Sequence, residues 1–262
     1  MKLPIYQLDV FTTNIFEGNP AGVVVMEESI DQQLMQSIAM ENNLPETAFI
    51  IKHNDGYKIR WFTPTVEVDL CGHATMAAGH VVLYMLETER NEVTFQSSKY
   101  KLTVSKDEDD DSLAMKLPAA RYKPTEVPPK LKESLGKEPL EAYKSDDYML
   151  VFETRQDIAD MNPDFEKLKE IDCRGIIVTA PGIDNDFVSR FFAPAIGIHE
   201  DPVTGSAHTK LVPYWSKKLG KKELQAEQLS KRGGRIVCRN LGDEVELLGY
   251  ARIYMVGTIY TK

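Results

Sequence analysis

One neighbourhood of this chain occurs twice, and that narrows the possible folds more than any other feature. Arg60-Trp61-Phe62-Thr63-Pro64 is followed by Gly72-His73-Ala74. Farther on, Arg190-Phe191-Phe192-Ala193-Pro194 is followed by Gly205-Ser206-Ala207. The arginines are 130 positions apart (190 − 60) and the glycines 133 (205 − 72), about half of a 262-residue chain. Such spacing points to a duplicated unit, with two matched sites facing each other.

The order of elements repeats as well. Tyr6, Leu8 and Val10 alternate with Gln7 and Asp9, a strand period. Gly18-Asn19-Pro20-Ala21-Gly22 is turn chemistry leading into the apolar strand Val23–Met26. Asp31 suits the cap of a helix with Leu34, Met35 and Ile38 on one face. Strands are expected over Ala48–Ile51 and Lys58–Phe62. From Gly72 to about Glu87 the chain is apolar nearly all round, which predicts a buried helix. Strands over Val93–Gln96, Tyr100–Val104 and Leu113–Leu117 complete the first half. The run Asp107–Asp111 between two of them reads as a solvated hairpin tip.

Pro118–Pro129 is rich in proline and charge and reads as a link. After it come a strand at Tyr148–Phe152, a helix at Asp164–Ile171 and strands at Ile176–Ala180 and Phe187–Phe192. A helix from Gly205 to Leu219 follows, then strands over Arg235–Cys238, Glu244–Leu248 and Ala251–Ile259. No G-x-G-x-x-G follows the first strand, which argues against a dinucleotide-binding sheet. The expected architecture is therefore α/β (α+β) with two pseudo-symmetric domains, residues 1–117 and 118–250. Each is a strongly bent, mostly antiparallel sheet or barrel around one central helix, with a cleft between the domains. The final strand, about 251–262, is expected to return to the first domain.

Composition sets outer limits. Hydrophobic residues make up 42% of the chain, ordinary for a globular protein. A formal charge of −9 repels phosphate backbones, so a nucleic-acid partner is not expected. No window approaches the roughly 20 apolar residues of a membrane span. The opening residues MKLPIYQLDVF lack the apolar core of a secretory signal. Three widely spaced cysteines, Cys71, Cys173 and Cys238, suit reduced thiols rather than a disulfide framework. A cytoplasmic protein is the expectation. Long apolar strands and an acidic surface suggest a homodimer.

The chemistry is expected at the doubled helix start. Gly72 and Gly205 each open a buried helix, whose first N–H groups have no partner within the helix. With the positive end of the macrodipole, each start is suited to a carboxylate or an oxyanion. His73 and Ser206 follow the two glycines. Glu200, Asp201 and His208 lie close to the second start. Glu46 stands between a helix and a strand. It reads either as a surface turn residue or as a partly buried carboxylate with a raised pKa, suited to proton transfer.

Several stretches resemble one known family. They are Asp9-Val10-Phe11, Gly18-Asn19-Pro20-Ala21, Asn43-Leu44-Pro45-Glu46-Thr47-Ala48-Phe49 and Glu67 through Thr75. In the second half they are Glu200 through His208, Pro213-Tyr214-Trp215 and Ser230-Lys231-Arg232-Gly233-Gly234. Together they resemble the PhzF-like family, named for phenazine biosynthesis, over essentially the whole chain. The resemblance implies the diaminopimelate-epimerase-like fold, a homodimer and a cofactor-independent isomerase. It assigns the acid/base role to Glu46, with His73 and Asp201 as polar partners. Gly72, Gly205 and Ser206 match groups that hold the substrate, flanked by Cys71 and Thr204. Pro45 departs from the family pattern, where many members have Ser before the Glu.

The favoured reading is isomerisation of a small carboxylated metabolite by proton transfer, with no metal, nucleotide or other cofactor required. Two rivals stand beside it. A two-thiol epimerase of this fold needs a Cys before each helix-opening Gly. Cys71 precedes Gly72, but Thr204 precedes Gly205, and a neutral hydroxyl is too weak an acid to stand in for a thiolate. A metabolite-binding protein without chemistry is the other. A zinc site from Cys71, His73 and His208 lacks the spacing of a structural ligand pair.

Overall fold

The computed structural model describes residues 1–108 and 110–261. The chain divides into two units, Met1–Leu117 with Leu247–Lys262, and Pro118–Glu246.

The first unit opens with β1 (Lys2–Val10) and β2 (Asn19–Met26). Helix α1 (Gln32–Asn42) is capped as its sequence suggests. Asp31 accepts from the Leu34 N–H at 2.9 Å, and Asn43 closes the helix in the left-handed conformation (φ 49°). Strands β3 (Glu46–His53), β4 (Gly56–Phe62) and β5 (Glu67–Val68) lead to α2 (Gly72–Val81). Strands β6 (Glu92–Gln96), β7 (Lys101–Lys106) and β8 (Leu113–Pro118) follow.

The long helix expected to Glu87 changes character at Val82. Val82–Leu86 is a π-helical turn, closed by the Glu87 N–H on the Val82 carbonyl at 2.7 Å. The acidic run after β7 is less free than its composition suggests. Asp110 accepts from the Tyr250 hydroxyl at 2.5 Å and Asp111 from Arg252 at 2.8 Å, while Asp109 lies outside the described residues.

In the second unit, β9 (Lys123–Pro124) and α3 (Pro129–Leu135) precede β10 (Glu141–Lys144) and β11 (Asp147–Val151). An unexpected short helix, α4 (Arg155–Ala159), comes next, and the helix expected at Asp164–Ile171 is shortened to α5 (Phe165–Leu168). Pro163 separates them, since proline cannot continue a helix. Each has its own cap: Thr154 and Asp157 form a capping box, and Asp164 accepts from the Lys167 N–H. Then come β12 (Gly175–Pro181), β13 (Phe187–Ala193), β14 (Ile198–Asp201), α6 (Gly205–Leu219), β15 (Glu223–Gln228), β16 (Gly234–Asn240) and β17 (Glu244–Gly249), whose residues from Leu247 on already belong to the first unit. The last strand, β18 (Ala251–Tyr260), pairs antiparallel with β1 in the first unit.

Each unit contains the same pairing scheme. In the first, β1–β2 is antiparallel, β2–β3 parallel, β3–β4 antiparallel, β4–β6 parallel and β6–β7 antiparallel. In the second, β10–β11, β11–β12, β12–β13, β13–β15 and β15–β16 repeat that series. The doubled sequence motif is therefore a doubled topology, with α2 and α6 as its counterpart helices.

Helix α2 is the core of the first unit. Every residue from His73 to Gly79 is buried, as is Val81. It packs on β1, β2, β3, β6, β7 and β18. Gly79 permits this, because a Cβ there would lie 2.5 Å from a Val104 methyl. Helix α6 carries Pro213 in its interior, which removes the N–H that would bond to the Thr209 carbonyl. The Ala120 N–H donates to that carbonyl instead, at 3.1 Å.

Candidate functional site

In the first unit the chemistry gathers where three elements begin. Asn19 is the first residue of β2, Glu46 the first of β3, and His73 the second of α2. The parallel register sets Glu46 beside Ala21, and Cys71 is the N-cap residue of α2. The Glu46 side chain is 12% exposed and the His73 side chain 5%, with Glu46 Oε2 and His73 Nε2 3.3 Å apart. Glu46 is thus the partly buried carboxylate of the two readings, not a surface turn residue.

Burial sets the protonation of His73. Desolvation pushes its pKa down to about 3, although the Pro20 carbonyl favours the charged ring. The imidazole is therefore neutral at ordinary pH. Asn19 Nδ2 lies 3.2 Å from His73 Nδ1 and Cys71 Sγ lies 3.5 Å from it. Asn19 and Cys71 both meet the ring at Nδ1, whereas Nε2 and Glu46 Oε2 are close neighbours without hydrogen-bond geometry.

Glu46, Cys71 and His73 bring one ligand atom each within 4.8 Å of one another, the spacing a metal cluster would need.

The second unit uses different residues at the same places. Thr204 is the N-cap residue of α6 and donates its hydroxyl to Asp201 Oδ2 at 2.5 Å. Buried Gln228 ties this segment down. Its Oε1 accepts from the Thr204 N–H at 2.9 Å, and its Nε2 donates to the Asp201 carbonyl at 2.7 Å. Ser230 donates to the Pro202 carbonyl at 2.8 Å and accepts from the Gly233 N–H at 3.0 Å. The Ser230–Gly233 stretch therefore braces the loop that carries Asp201. Ser206 accepts two hydrogen bonds from Arg174, at 3.2 and 3.3 Å.

Two residues near this site serve the framework. Glu200 accepts from Arg190 at 2.7 and 3.1 Å, as Glu67 accepts from Arg60 at 2.7 Å in the first unit. His208 is fully buried beside Phe187, with Nδ1 2.8 Å from the Thr204 carbonyl, and burial lowers its pKa to about 4. Two surface hollows of the first unit, about 610 Å³ beside Tyr57 and Arg90 and about 270 Å³ beside Trp61 and Ser97, are not lined by Glu46, Cys71 or His73.

Asn19, Gln228 and Arg174 were not singled out from the sequence. Asn19 is hidden in ordinary turn chemistry. Gln228 had a usable signal: it continues the inward phase of Leu224 and Ala226, where a polar side chain must find partners. Arg174 lies outside both copies of the repeated motif.

A family model described as phenazine biosynthesis-like protein matches residues 8–257. An uncharacterized isomerase of Pseudomonas aeruginosa is 46% identical over 260 residues, covering 99% of this chain and all of that one. The crystal structure of a PhzF-family phenazine biosynthesis protein from Enterococcus faecalis superposes with a TM-score of 0.96 at 40% identity, over the full length of both chains. A predicted epimerase of Pseudomonas aeruginosa, at 17% identity and a TM-score of 0.72 over 99% of this chain and all of that one, shares the fold. The chain belongs to the phenazine biosynthesis-like (PhzF) family and is an isomerase of it.

Proposed function

We propose that this isomerase moves a proton between two positions of a small carboxylated metabolite, without a cofactor, using Glu46 as its acid/base. The observation that carries this reading is the buried Glu46 carboxylate 3.3 Å from Nε2 of a neutral His73. The carboxylate takes a proton from an activated carbon, and the electron pair left behind shifts into the adjoining double bond. The Glu46 carboxyl then returns the proton at a second carbon, so atoms and charge balance. A neutral His73 beside the carboxylate does not compete with it for the proton. Asp201 acts as a second polar partner. Gly72, Gly205 and Ser206, with Cys71 and Thr204 beside them, hold the substrate, and backbone N–H groups stabilise the oxygen that gains charge.

A second base is not needed in this scheme. Thr204, the counterpart of Cys71, spends its hydroxyl proton on Asp201, which disfavours two-thiol epimerisation. Deuterium uptake tests the proposal. A ligand turned over in D₂O should gain solvent deuterium at the receiving carbon with the wild-type protein and not with Glu46→Gln. Uptake at the wild-type rate by the variant would sink the assignment.

A further inference from the structure

The first unit's site holds a thiol that the proposed proton transfer leaves unused, beside an imidazole and a carboxylate. His73 points to a ligand there. Its side chain is 5% exposed, and Nε2 makes no hydrogen bond. Buried polar atoms are as a rule hydrogen-bonded, and an ion is one of the groups that satisfies an exception. Glu46 Oε2 lies 3.3 Å from this nitrogen without hydrogen-bond geometry. That separation suits a shared cation. Tetrahedral zinc, with nitrogen and oxygen ligands each at about 2.0–2.1 Å, holds them about 3.3 Å apart. A sulfur ligand at about 2.3 Å belongs about 3.6 Å from the nitrogen. One donor atom from each of Glu46, Cys71 and His73 is already within 4.8 Å of the others. Closing the site therefore takes about 1 Å, a turn of the Cys71 side chain.

Charge sets the class of ion. A carboxylate and a thiolate supply two negative charges and the imidazole none, so a dication is neutralised where burial makes a net charge costly. Thiolate and imidazole favour zinc and its softer relatives over magnesium or calcium. Three protein ligands leave the fourth tetrahedral position to water. On binding, the Cys71 thiol gives its proton to solvent. The ring proton comes to rest on Nδ1, and a half-turn of the Asn19 amide, 3.2 Å away, presents Oδ1 to it.

The duplicated unit supplies a control for this cluster. Glu46 and Gly175 hold the same register. The helix starts align Cys71 with Thr204 and His73 with Ser206. The fold is thus built a second time with glycine, threonine and serine at the three places, so the framework does not require the three ligands.

We propose that Glu46, Cys71 and His73 are a binding site for a zinc-class divalent ion. Bound there, the ion takes the Glu46 carboxylate out of proton transfer, a consequence that rests on the reading of Glu46 as the base. The probe is Cd²⁺, added to protein stripped with a chelator and followed by cadmium–thiolate charge-transfer absorption in the ultraviolet. The wild type should develop this band and saturate at one ion per chain. Zn²⁺ should displace the cadmium, and excess Mg²⁺ should not. Cys71→Ala should abolish the band, and Cys71→Ser serves if the Ala variant does not fold. Glu46→Gln and His73→Gln should each weaken Cd²⁺ tenfold or more. Cys173→Ala, which removes the half-buried thiol of the second unit, should keep the wild-type band. No saturable band in the wild type would overturn the proposal. So would a band that survives replacement of Cys71, or wild-type Cd²⁺ affinity in the folded Glu46 and His73 variants. Failure of the base assignment reads differently: deuterium uptake undiminished with the site full of Zn²⁺ would remove Glu46 from the chemistry and leave the metal site standing.

Discussion

Glu46 and Gly175 occupy the same register position in the two sheets. Each is the first residue of the strand that runs parallel to its unit's second long strand, Glu46 opposite Ala21 and Gly175 opposite Asp147. The next residues confirm the match, with Thr47 opposite Phe62 and Ile176 opposite Phe192. The repeat therefore carries a carboxylate in one copy and no side chain in the other. Under the proposed one-base chemistry only the first copy needs that carboxylate.

Glu46→Gln should accordingly lower turnover by about 10²–10⁴-fold, the usual contribution of a positioned acid/base. The amide keeps the shape and a hydrogen-bonding oxygen, so ligand binding should change little. Steady-state kinetics with a calorimetric Kd separates the two. Gly175→Ala tests the other half of the relationship. Its Cβ would lie 2.2 Å from Phe191 Cζ, so overpacking should destabilise the protein by about 1–3 kcal/mol in urea titrations.

Cys71→Ala should be mild in comparison. The thiol sits 3.5 Å from His73 Nδ1, where Asn19 already donates, and its counterpart Thr204 is committed to Asp201. The variant should keep deuterium uptake near the wild-type rate. A dead Cys71→Ala beside an active Glu46→Gln would restore a thiol mechanism.

Much of the fold was legible because its signals are local. The Asp31 cap, the glycine helix starts and the repeated Arg-aromatic-Phe strand each depend on residues a few positions apart. The helix expected at 164–171 shows the limit. Periodicity ran through Phe165 and Leu168, but the helix there ends at Leu168, and the separately capped helix at 155–159 was not foreseen. The site was readable at Glu46 and His73, which sit in the repeated framework or beside it. Arg174 was not, because it works through Asp147, 27 residues away, and Ser206, 32 residues away. No local pattern encodes those distances; only the sheet register brings them together.

Two buried histidines and a half-buried one should make the protein acid-sensitive. Burial lowers His73 to about 3 and His208 and His80 to about 4. In the unfolded chain each titrates near 6.5. Below that pH the unfolded state binds protons the folded state refuses, so stability falls as pH drops. Each histidine adds a slope of roughly 1.4 kcal/mol per pH unit between about 6.5 and its folded value. Urea midpoints from pH 7 to pH 4 should decline, and His208→Gln should flatten the decline by one histidine's share.

Association is expected at β18. The strand hydrogen-bonds to β1, while Tyr254, Met255, Val256 and Tyr260 stay exposed, and Phe16 packs edge-on against Tyr254. We propose a homodimer that covers this apolar surface. Light scattering at micromolar concentration should give twice the chain mass, and Val256→Lys should reduce it toward the monomer. A wild-type monomer would end the idea.

The two echoed arginines should differ in what they contribute to stability. Both grip a glutamate on the following strand, but Arg190 is 12% exposed and Arg60 36%. Arg190 also donates to the carbonyls of Ile158, inside α4, at 3.1 Å and of Met161, beyond its end, at 2.6 Å. Arg190→Ala would leave Glu200 and two carbonyls without their donor. Breaking a buried pair from one side costs about 3–5 kcal/mol. Arg60→Ala removes a solvent-screened pair, for which about 0–1 kcal/mol is typical. Urea denaturation of both variants should therefore show a large loss at Arg190 and a small one at Arg60. Equal losses would mean that the sheet register they share, rather than burial, sets the strength of the pair.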